Sequence, residues 1–98
     1  MARLIYSVRA LADTERLADF LRDEAPAAAL KTVDVIVEAV KILGNHPLIG
    51  RPIEHDLREL IISRGKTGYV ALYSYEEAQD VVLILALRHQ REAGYVHE

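Results

Sequence analysis

An α+β fold of order β-α-α-β-β-β, with a helical hairpin packed on one face of a small, mainly antiparallel sheet, follows from three features of the sequence. The run Val81-Val-Leu-Ile-Leu-Ala-Leu87 is apolar throughout. It is too short for a helix core and reads as a strand buried on both faces. Two segments between Ala10 and Leu43 repeat apolar residues at helical spacing, and a joint of about two residues between them forces an antiparallel hairpin. From Leu57 to Tyr75 the apolar period becomes two and the joints become short, the pattern of an antiparallel meander.

Each element has a local reason. Arg3 to Tyr6 is a short first strand, and Ser7 after it is a helix N-cap. Ala10, Thr14, Leu17 and Leu21, with Phe20 beside them, mark a first helix to Glu24. Pro26 ends that helix and suits the first turn of the next. The second helix runs from about Ala27 to Leu43, with Leu30, Val33, Ile36, Val37, Val40 and Leu43 as one broad apolar face. Gly44 and Asn45-His46-Pro47 stop it. Pro47, Gly50 and Pro52 make 44–56 an irregular connector. Strands follow at 57–63, 69–75 and 80–87, separated by the turns Arg64-Gly-Lys-Thr-Gly68 and Glu76-Glu-Ala-Gln79. A hairpin covers one side of a sheet. The other side is expected to carry some of Arg58, Tyr69, Tyr73, Tyr75 and the basic residues after Leu87. A one-residue slip of register would invert that set. Leu85→Asp is expected to unfold the domain, because it charges the buried strand.

Composition bounds the function. The 98 residues read as one domain, 1–98, and the 51% hydrophobic content suits a globular core. There is no cysteine, which excludes disulfides and thiolate metal sites and fits a reducing cytoplasm. No signal peptide is visible at Met1–Tyr6, and no apolar run approaches membrane-span length. A net charge of −3 provides no global basic field for nucleic acid. Cations gather instead at Arg58, Arg64 and Lys66, and at Arg88 and Arg91, against an acidic first helix carrying Asp13, Glu15, Asp19, Asp23 and Glu24.

Most chemical motifs fall away. His46 and His55, with Glu54 and Asp56, lack metal-ligand spacing, and no cofactor is expected. Gly65-Lys66-Thr67 resembles the end of a phosphate loop. The glycine that loop needs is Leu60, however, and a strand rather than a helix follows. Ser7, Ser63 and Ser74 stand in no nucleophile elbow. The remaining set is general acid–base work on RNA. His89 is a candidate base, Tyr95 or His89 a candidate acid, and Arg88, Arg91, Arg58 or Lys66 a clamp for the phosphorane.

The order of elements resembles the RelE/ParE family of bacterial toxins. The residues that carry the likeness are Tyr6-Ser7, the alanine-rich second helix, Asn45-His46-Pro47 leading to Gly50-Arg51-Pro52, and Leu57-Arg58-Glu59-Leu60. It continues through Gly68-Tyr69-Val70-Ala71-Leu72-Tyr73 and Leu85 to Tyr95. The resemblance implies a toxin of a type II toxin–antitoxin pair, acting in the cytoplasm and neutralised by a partner antitoxin. It also implies one of two activities, ribosome-dependent mRNA cleavage in RelE-like members or poisoning of DNA gyrase in ParE-like ones. RelE-like members carry an arginine directly after the Gly-Tyr of the third strand, where this chain has Val70. Six residues before the terminal tyrosine they carry another, where this chain has His89. Tyr95 matches, and Arg91 matches more loosely. The departures favour the ParE-like branch, with gyrase as target and binding rather than catalysis as its action. A ParD-like antitoxin with a ribbon-helix-helix N-terminus is then expected, with no membrane and no sequence-specific nucleic acid as partner. Arg58, Arg64, Lys66, Tyr73, Arg88, Arg91 and Tyr95 become the candidates for contacting target or antitoxin. The alternatives are a RelE-like endoribonuclease using His89, Arg91 and Tyr95, and a non-toxic binding module on the same scaffold.

Overall fold

A computed structural model of the chain describes residues 1–22, 26–62 and 68–90. Its elements are β1 (Arg3–Tyr6), α1 (Val8–Arg22), α2 (Pro26–Val40), α3 (Ile42–Asn45), β2 (Arg51–Pro52), β3 (Arg58–Ile62), β4 (Tyr69–Glu76) and β5 (Val81–His89). The sheet order is β1-β5-β4-β3-β2. β1 lies parallel to β5, and every other pair is antiparallel. The expected α+β order holds, with β2 added inside the connector and the end of the second helix set apart as α3.

The N-cap forms as read. Ser7 Oγ accepts the Ala10 N–H at 3.0 Å and donates to the Leu85 carbonyl at 2.9 Å. One hydroxyl thus starts α1 and ties it to β5. β1 ends opposite Ile84, so the β5 edge beyond that rung has no neighbouring strand among the described residues. Side chains of α1 replace the strand. Asp13 Oδ2 accepts the Leu87 N–H at 2.9 Å, and Arg16 Nη2 donates to the Leu87 carbonyl at 3.4 Å. Asp13, counted with the acidic surface of the first helix, is therefore buried and structural. Asp13→Ala should leave a buried amide without its acceptor and cost about 2 kcal/mol. Urea unfolding reads this as a lower midpoint at unchanged slope.

The second helix is shorter than its apolar run. It breaks at Lys41, and α3 carries the chain on to Asn45. The Ala2 N–H donates to the Gly44 carbonyl at 2.7 Å, so the break lets the end of this segment meet the start of β1. Ile36, Val40 and Leu43 are fully buried, but Leu30 and Val37 are exposed. The apolar face is wider than the sheet beneath it.

The core joins Ile36, Val40 and Leu43 to Ala71 and Tyr73 of β4 and to Val82, Ile84 and Leu87 of β5. Leu72 pairs with Ala86 but Tyr73 pairs with Ile84, leaving Leu85 as an extra residue in β5. This bulge re-phases the strand, so Leu87 and not Ala86 follows Ile84 on the helix side. Leu85 is only half-buried in consequence, and Ile84 is the buried residue that a charge would disrupt. Tyr69, Tyr73 and Tyr75 share the helix side with Val82, Ile84 and Leu87, and Arg58 joins them opposite Tyr73. Of the residues among which the open side was expected to find its members, the register puts these four on the helix side and Arg88 on the far side. The far side is not bare either, since Val70 and Ala86 are each only 2% exposed there.

Candidate functional site

Arg58 and Tyr73 form a clamp. Tyr73 is fully buried. Its hydroxyl donates to the Pro47 carbonyl at 2.8 Å and accepts the Gly50 N–H at 2.8 Å. Arg58 Nη1 donates to the carbonyls of Leu48 at 3.0 Å and Gly50 at 2.8 Å. Four hydrogen bonds thus fix the backbone of 47–50 against the sheet. Directly after it, Arg51 Nη2 meets Glu59 Oε1 at 2.6 Å. These two residues face each other in the β2–β3 register, so the ion pair anchors the short edge strand. Arg58 and Tyr73, expected at a partner surface, hold this loop instead. A buried phenol is not an available contact.

Burial pushes the Tyr73 phenol above its ordinary value, and the Gly50 N–H and the Arg58 charge offset part of that rise. Burial also raises Tyr6, and the hydrogen bond donated to Asp80 raises Tyr75. A raised folded value means that the fold favours the neutral phenol. The stability from these groups is fully present below the ordinary tyrosine value of 10.0 and is lost as pH rises through the raised folded values. Thermal melts should show no tyrosine-linked change below that value and a falling midpoint above it.

Arg88 and His89 are still inside β5 rather than beyond its end. Successive strand residues point to opposite faces. His89 lies on the helix side, edge-on to Tyr69 with ring centroids 5.4 Å apart at 83°. The Tyr69 hydroxyl is 3.5 Å from Thr32 Oγ1 of α2. Arg88 takes the far side, opposite Val70, and its Nη1 donates to the carbonyls of His89 and Gln90 at 3.3 Å. Arg58 and Arg88 pair with Tyr73 and Val70 respectively, which places their rungs about 10 Å apart along β4. They also stand on opposite faces. The cations grouped by sequence do not converge among the described residues. Arg64, Lys66, Arg91 and Tyr95 lie outside the described residues. His46 and His55 are exposed, and among the described residues no three His, Asp or Glu side chains gather as a metal site.

The sequence reading missed Asp13, Arg16 and the loop Leu48-Ile49-Gly50. Gly50 between two prolines was the one visible signal. Leu48 and Ile49 are 59% and 54% exposed on that clamped backbone. With His46, Pro47, Tyr75 and Glu77 they line a shallow depression of about 540 Å³.

Comparison with known proteins agrees with this geometry. The family model for the ParE toxin of the type II toxin–antitoxin system parDE matches residues 4–94. A Caulobacter vibrioides protein named Toxin RelE3 is 36% identical over 84 residues, covering 86% of this chain and 89% of its own. The chromosomal ParDE toxin–antitoxin system of P. aeruginosa contains a chain that superposes with a TM-score of 0.76 at 29% identity, over 91% of this chain and 96% of that one. A chain of the RelBE2 toxin–antitoxin complex of Mycobacterium tuberculosis shares the fold at a TM-score of 0.66 and 22% identity, over 91% and 98% of the two chains. A match from β1 to beyond the end of β5, together with a relative of that identity over most of both chains, makes this chain a member of the ParE toxin family, within the RelE/ParE superfamily of type II toxin–antitoxin toxins.

Proposed function

We propose that this chain acts in the cytoplasm by binding DNA gyrase, without catalysis by its own residues, and is neutralised by a cognate antitoxin. The observation that supports this reading is the separation of Arg58 and Arg88, the two of its grouped cations among the described residues. A phosphate-cleaving site needs several positive donors aimed at one transition-state charge. Here Arg58 is committed to the loop carbonyls of Leu48 and Gly50, and Arg88 stands on the other face. Val70, where a RelE-like arginine is expected, is a buried aliphatic.

Exposed apolar residues on the two helices support an antitoxin as partner. Val8 and Leu11 of α1 and Leu30 and Val37 of α2 are all exposed. The spacings of three and seven residues put each pair on one side of its helix. Exposed apolar pairs of this kind suit an amphipathic segment that folds on the toxin surface. The similar ParDE and RelBE2 structures are of toxin–antitoxin systems, which supports a partner of that kind.

A RelE-like endoribonuclease is the second reading. The name of the Caulobacter relative favours it, as does the placement of His89 against Tyr69. Induction without antitoxin should arrest growth, and purified toxin should inhibit supercoiling by gyrase while mRNA 5′ ends stay unchanged. Cuts in the ribosomal A site that vanish with His89→Ala and Tyr95→Phe would overturn the gyrase reading. Absence of growth arrest would leave only a binding module.

A further inference from the structure

We infer that the clamped loop Pro47–Ile53 is the surface that grips the toxin's target, and that the target is a folded protein offering an apolar side chain flanked by Lys or Arg. The inference rests on the toxin reading above and deepens it.

Rigidity is the first argument. The loop backbone is held by the fully buried Tyr73 and by Arg58 through four hydrogen bonds. Three aliphatic side chains, Leu48, Ile49 and Ile53, nevertheless point into solvent. A backbone held this firmly pre-organises them, so binding loses little conformational entropy.

Charge is the second. The depression beside Leu48 and Ile49 is walled by Tyr75 and Glu77. Tyr75 donates to Asp80 at 2.7 Å, and Glu77 is close enough to raise the same phenol. Glu77 on the rim, with Asp80 one hydrogen bond beyond Tyr75, repels phosphates and attracts cations. The aliphatic floor gives a nucleic acid nothing to bond. A protein segment with an apolar anchor and a basic neighbour satisfies both parts.

Size and position choose among protein partners. Three partly exposed aliphatics are a small fraction of the roughly 800 Å² per partner that a stable dimer covers, so this loop, the lip of the depression, is an anchor within a larger contact rather than a self-association face. The antitoxin reading above uses the exposed residues of α1 and α2, and a segment that folds on binding needs no preformed socket. A folded target does need one.

The test uses the full chain carrying Leu48→Ser with Ile49→Ser, and separately Glu77→Lys. Both changes are on exposed residues, so melting temperatures should stay near the parent value. Growth arrest should need about tenfold or more inducer-driven toxin in each variant, as expected for loss of an interface anchor. Inhibition of purified gyrase should weaken in parallel. Co-purification with the antitoxin from the same operon should be unchanged. Folded variants that arrest growth at parent levels overturn the inference. Variants that keep toxicity but escape neutralisation also overturn it, assigning the lip to the antitoxin. If the parent fails to inhibit gyrase and leaves mRNA uncut while both variants still lose toxicity, the gyrase reading falls and the loop stands with another protein target; mRNA cutting by the parent overturns the protein target.

Discussion

Ile84→Asp should yield no folded protein. Ile84 is fully buried in the second strand of the sheet, between the helices and Tyr73. Among the described residues the cation nearest in register on that face, Arg58, already serves the Leu48 and Gly50 carbonyls. Burying an uncompensated charge and losing the packing of a branched aliphatic together cost more than about 5 kcal/mol. That matches or exceeds the whole stability of many domains of this size. The expected result is insoluble or unfolded protein, read by loss of far-UV circular dichroism or by complete partition to inclusion bodies. Leu85→Asp, one residue on, should be markedly milder, because the bulge leaves Leu85 half-buried. A folded Ile84→Asp protein would mean that the register of β5 is wrong.

Gly50→Ala should be the most damaging single-methyl change. A Cβ at that position would lie 2.5 Å from the Tyr73 hydroxyl, 2.6 Å from Tyr73 Cε1 and 2.9 Å from the Glu59 carbonyl. Neither neighbour can yield easily. Tyr73 is fully buried and bonded on both sides of the loop, and the Glu59 carbonyl belongs to β3. The loop must lift, breaking some of its four anchors. A cost of about 2–4 kcal/mol is expected, a fall of roughly 10–20 °C in melting temperature for a domain of this length. Gly44→Ala is the control. Its Cβ would meet the Met1 side chain at 3.3 Å, a terminal group that can swing aside, so the melting temperature should hardly change. If Gly50→Ala folds but its lip is displaced, toxicity should fall further than stability alone explains.

The second-helix boundary shows how far sequence reading reaches. Apolar spacing located α2 and its buried residues Ile36 and Val40, but not the break at Lys41, because the cause is the contact of Gly44 with the distant Ala2. The strands followed from period and turn residues, although β5 runs on through Arg88 and His89 instead of ending at Leu87. The facing of each strand did not follow from them. Simple alternation from Val82 through Ile84 leads to Ala86, and only the bulge at Leu85 transfers the core position to Leu87. Candidate residues fared worst, for the same reason. Arg58 and Arg88 look alike as exposed cations in sequence, yet pairing sends one under a loop and the other to the far face.

The amino-acid order alone determined the two long helices, the four main strands, their sequence and the family resemblance, because hydrophobic period, caps and turn residues act over a few neighbouring positions. Which side chains meet was decided only in three dimensions. Asp13 reaching the edge of β5 and Tyr73 gripping the backbone of 47–50 are contacts between residues 74 and 26 positions apart. Such pairings depend on register and on a single inserted strand residue, and no local pattern encodes them.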